Sequence, residues 1–396
     1  MKSVKDLDVS GKKVLVRVDY NLPLDEHQRI TDDNRIKATL PLIRYLLEHD
    51  TRIILISHMG RPKGKRVPEL SLAPAAKRLE ELLGKSVGFV NDCIGPEVQT
   101  AVDNMVSGDI VLLENLRFHG GEKSNDREFA KQLAAFCDCF VNEAFSVSHR
   151  TQASVVGIPQ VVKMSGAGFL LEREIACYGN SVEAPKRPLT AIVGGAKVSS
   201  KLSALNNLLN HVDTLIIGGA MANTFLKSRG IDVGASMVEH DLVTTAGEIL
   251  KKAAEKKVNC LLPVDVVVAE TFDKNAEKKT VSVDQIPAQW MAMDMGPETT
   301  AIFSKAVEAS GTIVWNGPMG VFEMERFRSG TCDLAQAVAA SPAFCVVGGG
   351  DTGLAVNVCQ VAEKMDYIST GGGAFLHLME GRALPGVTAL EESGKI

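Results

Sequence analysis

Short runs of β-branched and apolar residues alternate with longer helical patterns along this chain, and the alternation starts afresh once. In the first half the strand-like runs are 13–18 (KVLVRV), 52–57 (RIILIS), 110–114 (IVLLE) and 139–142 (CFVN). In the second they are 189–193 (LTAIV), 214–217 (TLII), 261–268, 312–315 (TIVW), 343–347 (AFCVV) and 367–369. Amphipathic segments lie between them. Leu72, Ala75, Ala76, Leu79, Leu82 and Leu83 share one helical face, with Ser71 placed to cap and Gly84 to stop. From Asp33 to His49, Ile36, Leu40, Ile43 and Leu47 share another, with Pro41 inside the pattern. Strand–helix alternation of this kind predicts an α/β fold of parallel sheets covered by helices on both faces. Segment 168–188 is a helical pattern ending in Pro185 and Pro188, and reads as a connector at a domain boundary.

The length of 396 residues suits two domains. A formal net charge of -5 argues against broad electrostatic capture of nucleic acid or anionic membrane, though not against a small anionic ligand. No stretch reaches the ~20 apolar residues of a membrane span, and the start, MKSVKDLDVSGKK, lacks the apolar core of a signal peptide. A cytoplasmic protein is expected. The eight cysteines form no Cys-x-x-Cys pair, and the expectation is reduced thiols packed as small hydrophobes.

Nearly every apolar run ends in a cluster of Gly, Asn, Asp, His or Arg. Open α/β sheets bind ligands beyond the carboxyl ends of their strands, so each half is expected to carry its own binding edge. The first edge holds fixed positive charge: Arg35, Arg61, Arg117 and Arg150, with His58 and His149. Guanidinium forks suit carboxylate and phosphate, so this edge should take a small, multiply anionic molecule. Asp19 and Asn21 either bond ligand hydroxyls or form an Asx-type turn after the strand.

The second edge is built from glycine: Gly194-Gly195-Ala196-Lys197, Gly218-Gly219, Asn316-Gly317-Pro318, Gly348 to Thr352, and Thr370 to Gly373. Backbone N–H groups in such loops cradle phosphates at helix N-termini. Lys197 and Lys201 lie four apart, which on a helix puts both ammoniums on one face; they neutralise phosphate or line a solvated helix edge. Asp351 either holds Mg²⁺ through water and phosphate oxygens, caps the following helix, or does both.

Other signals fail. There is no Walker-type loop, nucleophile elbow or zinc-ligand set. Residues 348–353 match G-x-G-x-x-G after a strand, which keeps an NAD-dependent dehydrogenase as the alternative, but the acid expected about 20 residues on is missing. Asp366 is near that distance yet precedes its strand. A two-lobed solute-binding protein would need an export signal.

Several long motifs, in order and spanning nearly the whole chain, resemble those of phosphoglycerate kinases: VRVDYNLPLD (16–25), SHMGRPKG (57–64), LLENLRFHGGE (112–122), NEAFSVSHR (142–150), GGAKVSSKL, DTLIIGGAMANTF (213–225), TIVWNGPMGVFE (312–323), VVGGGDT and STGGGAFLHLMEGRALPGV (369–387). The resemblance implies two doubly wound domains, each with a parallel six-stranded-type sheet, joined by a helical hinge. Residues 1–170 with a returning 384–396 would bind 3-phosphoglycerate or 1,3-bisphosphoglycerate, 171–188 would be the hinge, and 189–383 would bind Mg-ADP or Mg-ATP. It implies a monomer with no nucleic-acid or membrane partner. By similarity, Asp19, Asn21, Arg35, His58, Arg61, Arg117 and Arg150 bind phosphoglycerate. Lys201 contacts nucleotide phosphates, Glu323 the ribose, and Gly349, Gly350, Asp351 and Thr352 the phosphates and metal. Gly218, Gly219, Asn316 and Pro318 line the nucleoside pocket. Arg35, Lys197 and the N–H groups of Gly371, Gly372 and Gly373 stabilise the transferring phosphoryl, with Asp351 toward Mg²⁺. The chain departs from the commoner pattern at Glu143, Ser146-Val147, Ser200 and Phe375, which puts the loop around Arg150 and the behaviour near Phe375 in question.

Overall fold

The structure, a computed structural model, describes residues 1–393. The chain divides into two compact units, Met1–Ile175 with the segment from Ala383 onward, and Ala176–Arg382. In the first unit, strands β1 (Lys13–Arg17), β2 (Arg52–Ile56), β3 (Gly88–Val90), β4 (Ile110–Leu113), β5 (Cys139–Asn142) and β6 (Ser165–Ala167) form one parallel sheet in the order β3-β4-β2-β1-β5-β6. Val14, Val16, Ile53, Leu55, Leu112 and Val141 pack one core on this sheet. Both faces of the sheet are covered, which is why its strands read as continuous apolar runs rather than alternating ones. Helix Asn34–Leu47 runs through Pro41 without a break. Helix Ala73–Leu83 ends at Gly84 in the left-handed region (φ 63°), and the Ser71 hydroxyl accepts from the Ala73 N–H at 3.2 Å. Helix Pro385–Glu392 belongs to this unit, where the Gly386 N–H donates to Ser148 O at 2.9 Å. The last residues of the expected returning segment, 394–396, lie outside the described residues.

The second unit repeats the plan with β7 (Leu189–Val193), β8 (Thr214–Ile217), β9 (Asn259–Leu261), β13 (Thr312–Asn316), β14 (Phe344–Gly348) and β15 (Tyr367–Ile368) in the parallel order β15-β14-β13-β7-β8-β9. Ile192, Ile216, Ile313, Trp315 and Val347 lie in its core. A three-stranded antiparallel sheet of β10 (Asp265–Ala269), β11 (Lys278–Ser282) and β12 (Met291–Met295) was not expected. The run 261–268 is two strands in two sheets, broken at Pro263, which has no N–H to give a ladder.

Two expectations need correction. Cys332 and Cys359 are disulfide-bonded, with Cα atoms 5.1 Å apart, while the other six cysteines form no disulfide among the described residues. Helices Ser329–Ala340 and Gly350–Val358 bring them together across 27 residues, a proximity that sequence spacing does not reveal. Lys197 and Lys201 do not share a helical face, because the helix begins only at Leu202. Among the described residues, no helix is long and apolar enough to cross a membrane.

Candidate active site

In a doubly wound sheet, the crevice opens where strand order reverses around the first strand. In the first unit β1 lies between β2 and β5, and the side chains beyond their carboxyl ends converge. Arg35 Nη1 donates to Asp19 Oδ2 at 2.7 Å and to Asn21 O at 3.2 Å. Ser146, after β5, donates its hydroxyl to the same Asp19 oxygen, so this departure from the commoner pattern closes the loop onto β1. Asn21 N donates to Asp19 Oδ1 at 3.1 Å, the Asx turn foreseen, while Asn21 Oδ1 accepts from Gly60 N at 2.8 Å. Gly60, at φ +58°, is thereby clamped from two sides, since its carbonyl accepts from Arg117 Nη1 at 2.7 Å. A Cβ there would sit 2.7 Å from Leu70.

Arg61, Arg117 and Arg150 line one cavity of about 650 Å³, joined by Lys63, His119 and Lys123, which the sequence reading had not singled out. Burial lowers the Arg117 guanidinium from 12.5 to about 10, with repulsion from Arg150 and Arg17 adding to it. Its Nη2 is buried without a hydrogen-bond partner. An anion placed among these cations would raise the Arg117 value again. Burial likewise drives the His58 ring well below the ordinary histidine value, so it is neutral at pH 7. Burial opposes ionisation of Asp19, but its carboxyl still lies below the usual range. A charge on His58 would contribute only if the ring were protonated, so Arg35 and the Ser146 hydroxyl carry that shift.

In the second unit β7 lies between β13 and β8, and the glycine loops meet beyond those strands. A Cβ on Gly194 would sit 2.2 Å from Pro318 O, and one on Gly219 (φ +67°) 2.5 Å from Gly195 N. These glycines are therefore needed for backbone to pack on backbone. Gly218 instead makes room for a side chain, since a Cβ there would sit 2.3 Å from the Met319 sulfur. Of the expected nucleoside residues, Gly219, Pro318 and Glu323 line a cavity of about 300 Å³ together with Asp351, whereas Gly218 and Asn316 do not. Its apolar wall includes Met237 and Phe272, 54% and 63% exposed, which were missed because single apolar residues in loops carry no periodic signal.

Asn316 instead organises the floor: its Oδ1 and O accept from Lys201 Nζ, the latter at 3.0 Å, and its Nδ2 donates to Gly348 O at 2.9 Å. Burial lowers the Lys201 ammonium to about 8, against the pull of Asp351. Lys197 is exposed on the loop ahead. The Thr352 hydroxyl accepts from Gly317 N at 2.7 Å and donates to Gly348 O at 2.8 Å, so it is occupied within the protein.

The helices starting at Gly350 and Gly372 abut at their N-termini, where a Cβ on Gly372 would sit 2.8 Å from Gly349 Cα. The Gly371 N–H is taken by Ser369 Oγ at 3.2 Å. Those of Gly372 and Gly373, like those of Gly350 and Asp351, make no hydrogen bond among the described residues, as expected for the first turn of a helix. Phe375 lies against Gly348, whose Cβ would meet the ring at 2.2 Å, and it stacks edge-on with Tyr178. Ser200 donates to Lys197 O at 2.8 Å, and Glu143 Oε2 accepts from Leu170 N at 2.9 Å at the start of helix Phe169–Tyr178.

The dinucleotide alternative loses its remaining candidate here. Asp366 Oδ2 accepts from Cys345 N at 2.7 Å, at the amino end of the strands and away from the crevice.

The family model of phosphoglycerate kinase matches residues 4–382. The chain is 63% identical over 391 residues to a phosphoglycerate kinase of Desulforapulum autotrophicum, covering 99% of this chain and 100% of that one. It is 56% identical to one of Desulfosudis oleivorans, with 99% of each covered. Among solved structures, phosphoglycerate kinase from Coxiella burnetii superposes with a TM-score of 0.91 at 42% identity, covering 99% of both chains. That from Pyrococcus horikoshii gives 0.87 at 33%, covering 100% of both. With the motifs, both sheets and both crevices in agreement, the chain belongs to the phosphoglycerate kinase family.

Proposed function

We propose that the two crevices hold the two substrates of one phosphoryl transfer, phosphoglycerate on the first unit and Mg-nucleotide on the second. The activity is that of the family: a glycolytic phosphotransferase with a carboxyl acceptor, moving a phosphoryl group reversibly between 1,3-bisphosphoglycerate and ADP to give 3-phosphoglycerate and ATP. The observation that carries the substrate assignment is the cavity bordered by Arg61, Arg117 and Arg150, cations held close together for an anion of several charges. Asp19, Asn21 and His58 do not line that cavity; Asn21 is tied to Gly60, whose carbonyl Arg117 holds, and with Asp19 and His58 would add polar groups suited to hydroxyl and carboxylate.

On the second unit, Met237 and Phe272 take the base, Glu323 the ribose, and Lys201 with the N–H groups at Gly350 and Asp351 the phosphates. The site fits Mg²⁺ held mainly through phosphate and water: Asp351 offers a carboxylate that is exposed and makes no hydrogen bond among the described residues, a hard oxygen donor at the phosphate end. When bound, Mg²⁺ neutralises phosphate charge.

The attacking oxygen, carboxylate or ADP phosphate, is already ionised, so no side chain need act as a general base. Catalysis is positioning and charge neutralisation. Arg35 holds Asp19 through one nitrogen and keeps its other N–H groups free for the transferring phosphoryl. Lys197 and the Gly372 and Gly373 N–H groups meet the phosphoryl from the nucleotide side. Transfer needs the reacting oxygens within about 3–3.5 Å. The units, acting as a cytoplasmic monomer, therefore close on each other about the helical segment 171–188.

A coupled assay with ATP, Mg²⁺ and 3-phosphoglycerate tests the reading. Arg35→Ala and Lys197→Ala should each lose on the order of 10²–10³ in rate. A well-folded but inactive wild type overturns it. Solution scattering should show compaction only with both substrates present, and no compaction refutes closure.

A further inference from the structure

Arg17 is the last residue of β1, is fully buried, and touches no solvent. A guanidinium in that position is costly unless each donor has an acceptor. Its Nε donates to Ser154 Oγ at 2.8 Å, its Nη1 to Val18 O, and its Nη2 lies 3.1 Å from His58 Nδ1. Ser154 Oγ is in turn 2.7 Å from Glu122 Oε1, and Ser154 N donates to Glu122 Oε2 at 3.0 Å.

Proton counting leaves one arrangement for this network. Guanidinium has five donors and no acceptor. The Ser154 hydroxyl therefore accepts from Arg17, and its single proton goes to Glu122. By the same logic His58 Nδ1 accepts from Arg17 and carries no proton, and the proton of the neutral ring is on Nε2. The competing acceptor for a protonated Nδ1, Asp19 Oδ1, is 3.8 Å away, beyond hydrogen-bond reach. Nε2 makes no hydrogen bond among the described residues, and the ring, 2% exposed, lies close enough to Arg117 and Arg150 for their charges to act on it.

We infer that Arg17 is a positioning residue of the phosphoglycerate site: it holds His58 as the Nε2–H tautomer and leaves that N–H free to donate to the bound anion. The inference rests on the substrate assignment above. It explains how histidine serves a crevice already crowded with cations, since a neutral ring donates without adding another positive charge. It also explains a buried arginine directly after the apolar run Val14, Leu15 and Val16 of the same strand.

The test reads the ring directly. In protein labelled with ¹⁵N-histidine, long-range ¹H–¹⁵N correlation at pH 7, with His58 identified by the signal lost in His58→Gln, should show a protonated Nε2 and a bare Nδ1. Adding 3-phosphoglycerate should shift the Nε2 resonance. A protonated Nδ1 or an imidazolium in a protein that binds 3-phosphoglycerate overturns the role of Arg17 and leaves the substrate reading intact. The expected tautomer with no response to 3-phosphoglycerate overturns the substrate reading and the positioning role with it.

Kinetics supply a second arm. Gln places an N–H where Nε2 stands and Asn where Nδ1 stands, so KM for 3-phosphoglycerate should rise about 10–100-fold more in His58→Asn than in His58→Gln. An equal rise counts against the inference. Arg17→Met paired with Glu122→Gln removes both buried charges and should yield mixed tautomers. An unmixed Nε2–H ring in that variant also counts against it, and if the pair does not fold, the wild-type spectrum decides.

Discussion

Replacing Arg117 by Met should separate function from stability in an unusual way. At neutral pH this guanidinium is charged in both folded and unfolded chains, because 12.5 and about 10 both lie above 7. The unfavourable burial is then fully present. It would be relieved only above pH 10, as the folded group lost its proton. The displacement corresponds to about 3 kcal/mol at most, and screening of a half-buried group reduces it to about 1–2 kcal/mol. Against this stands the bond to Gly60 O at 2.7 Å, worth about 1–2 kcal/mol.

The two nearly cancel, so without ligand the variant should match wild type within about 1 kcal/mol. Binding behaves differently, since losing one charge-assisted contact should weaken 3-phosphoglycerate about 10–100-fold. At a ligand concentration of 100 Kd the wild type gains about 2.7 kcal/mol, and a variant weakened about 30-fold gains only about 1. Urea unfolding with and without 3-phosphoglycerate measures both quantities. Circular dichroism is the suitable probe, because both tryptophans, Trp290 and Trp315, belong to the second unit. A ligand-free loss above about 2 kcal/mol with ligand stabilisation retained would make Arg117 a structural residue and refute the argument.

Three further outcomes are expected. Nucleotide phosphates should restore the proton of Lys201, whose free-state value is about 8; calorimetry at pH 8–9 in buffers of different ionisation enthalpy should therefore show proton uptake, absent in Lys201→Met. Burial raises the Glu143 carboxyl well above 4.5, so the folded chain binds more protons there and stability falls as pH rises from 4.5; Glu143→Gln should flatten that slope at a cost under about 1 kcal/mol, because the amide still accepts from Leu170 N, and an unchanged slope would refute it. Gly219→Ala forces a Cβ into a left-handed position 2.5 Å from Gly195 N and should cost about 1–3 kcal/mol with weakened nucleotide binding, while 3-phosphoglycerate titrations stay unchanged.

How far the sequence could be read depends on the kind of signal. Strands β1, β2, β4, β5, β7, β8, β13 and β14 were legible because burial on both faces writes itself as an apolar run. Edge strands β3 and β6 and the sheet β10–β12 were not, being short or partly exposed. The polar clusters lie beyond the carboxyl ends of the strands, and several of their members also bond or pack within the protein. Thr352 braces Gly317 and Gly348, Asn316 holds Lys201, and Gly218 makes room for Met319. Only a contact partner distinguishes a glycine that faces a phosphate from one that faces another backbone.

Sequence by itself determined the α/β class, the two repeats of strand and helix, and the cationic and glycine-rich character of the two edges. These follow from local composition and periodicity, which survive without knowledge of what lies opposite. Tertiary structure alone decided that Ser146 meets Asp19, that Cys332 meets Cys359, and that Arg17 meets Ser154 and His58. Proton positions, burial and charge depend on neighbours brought from 127, 27, 137 and 41 residues away, and no local pattern encodes them.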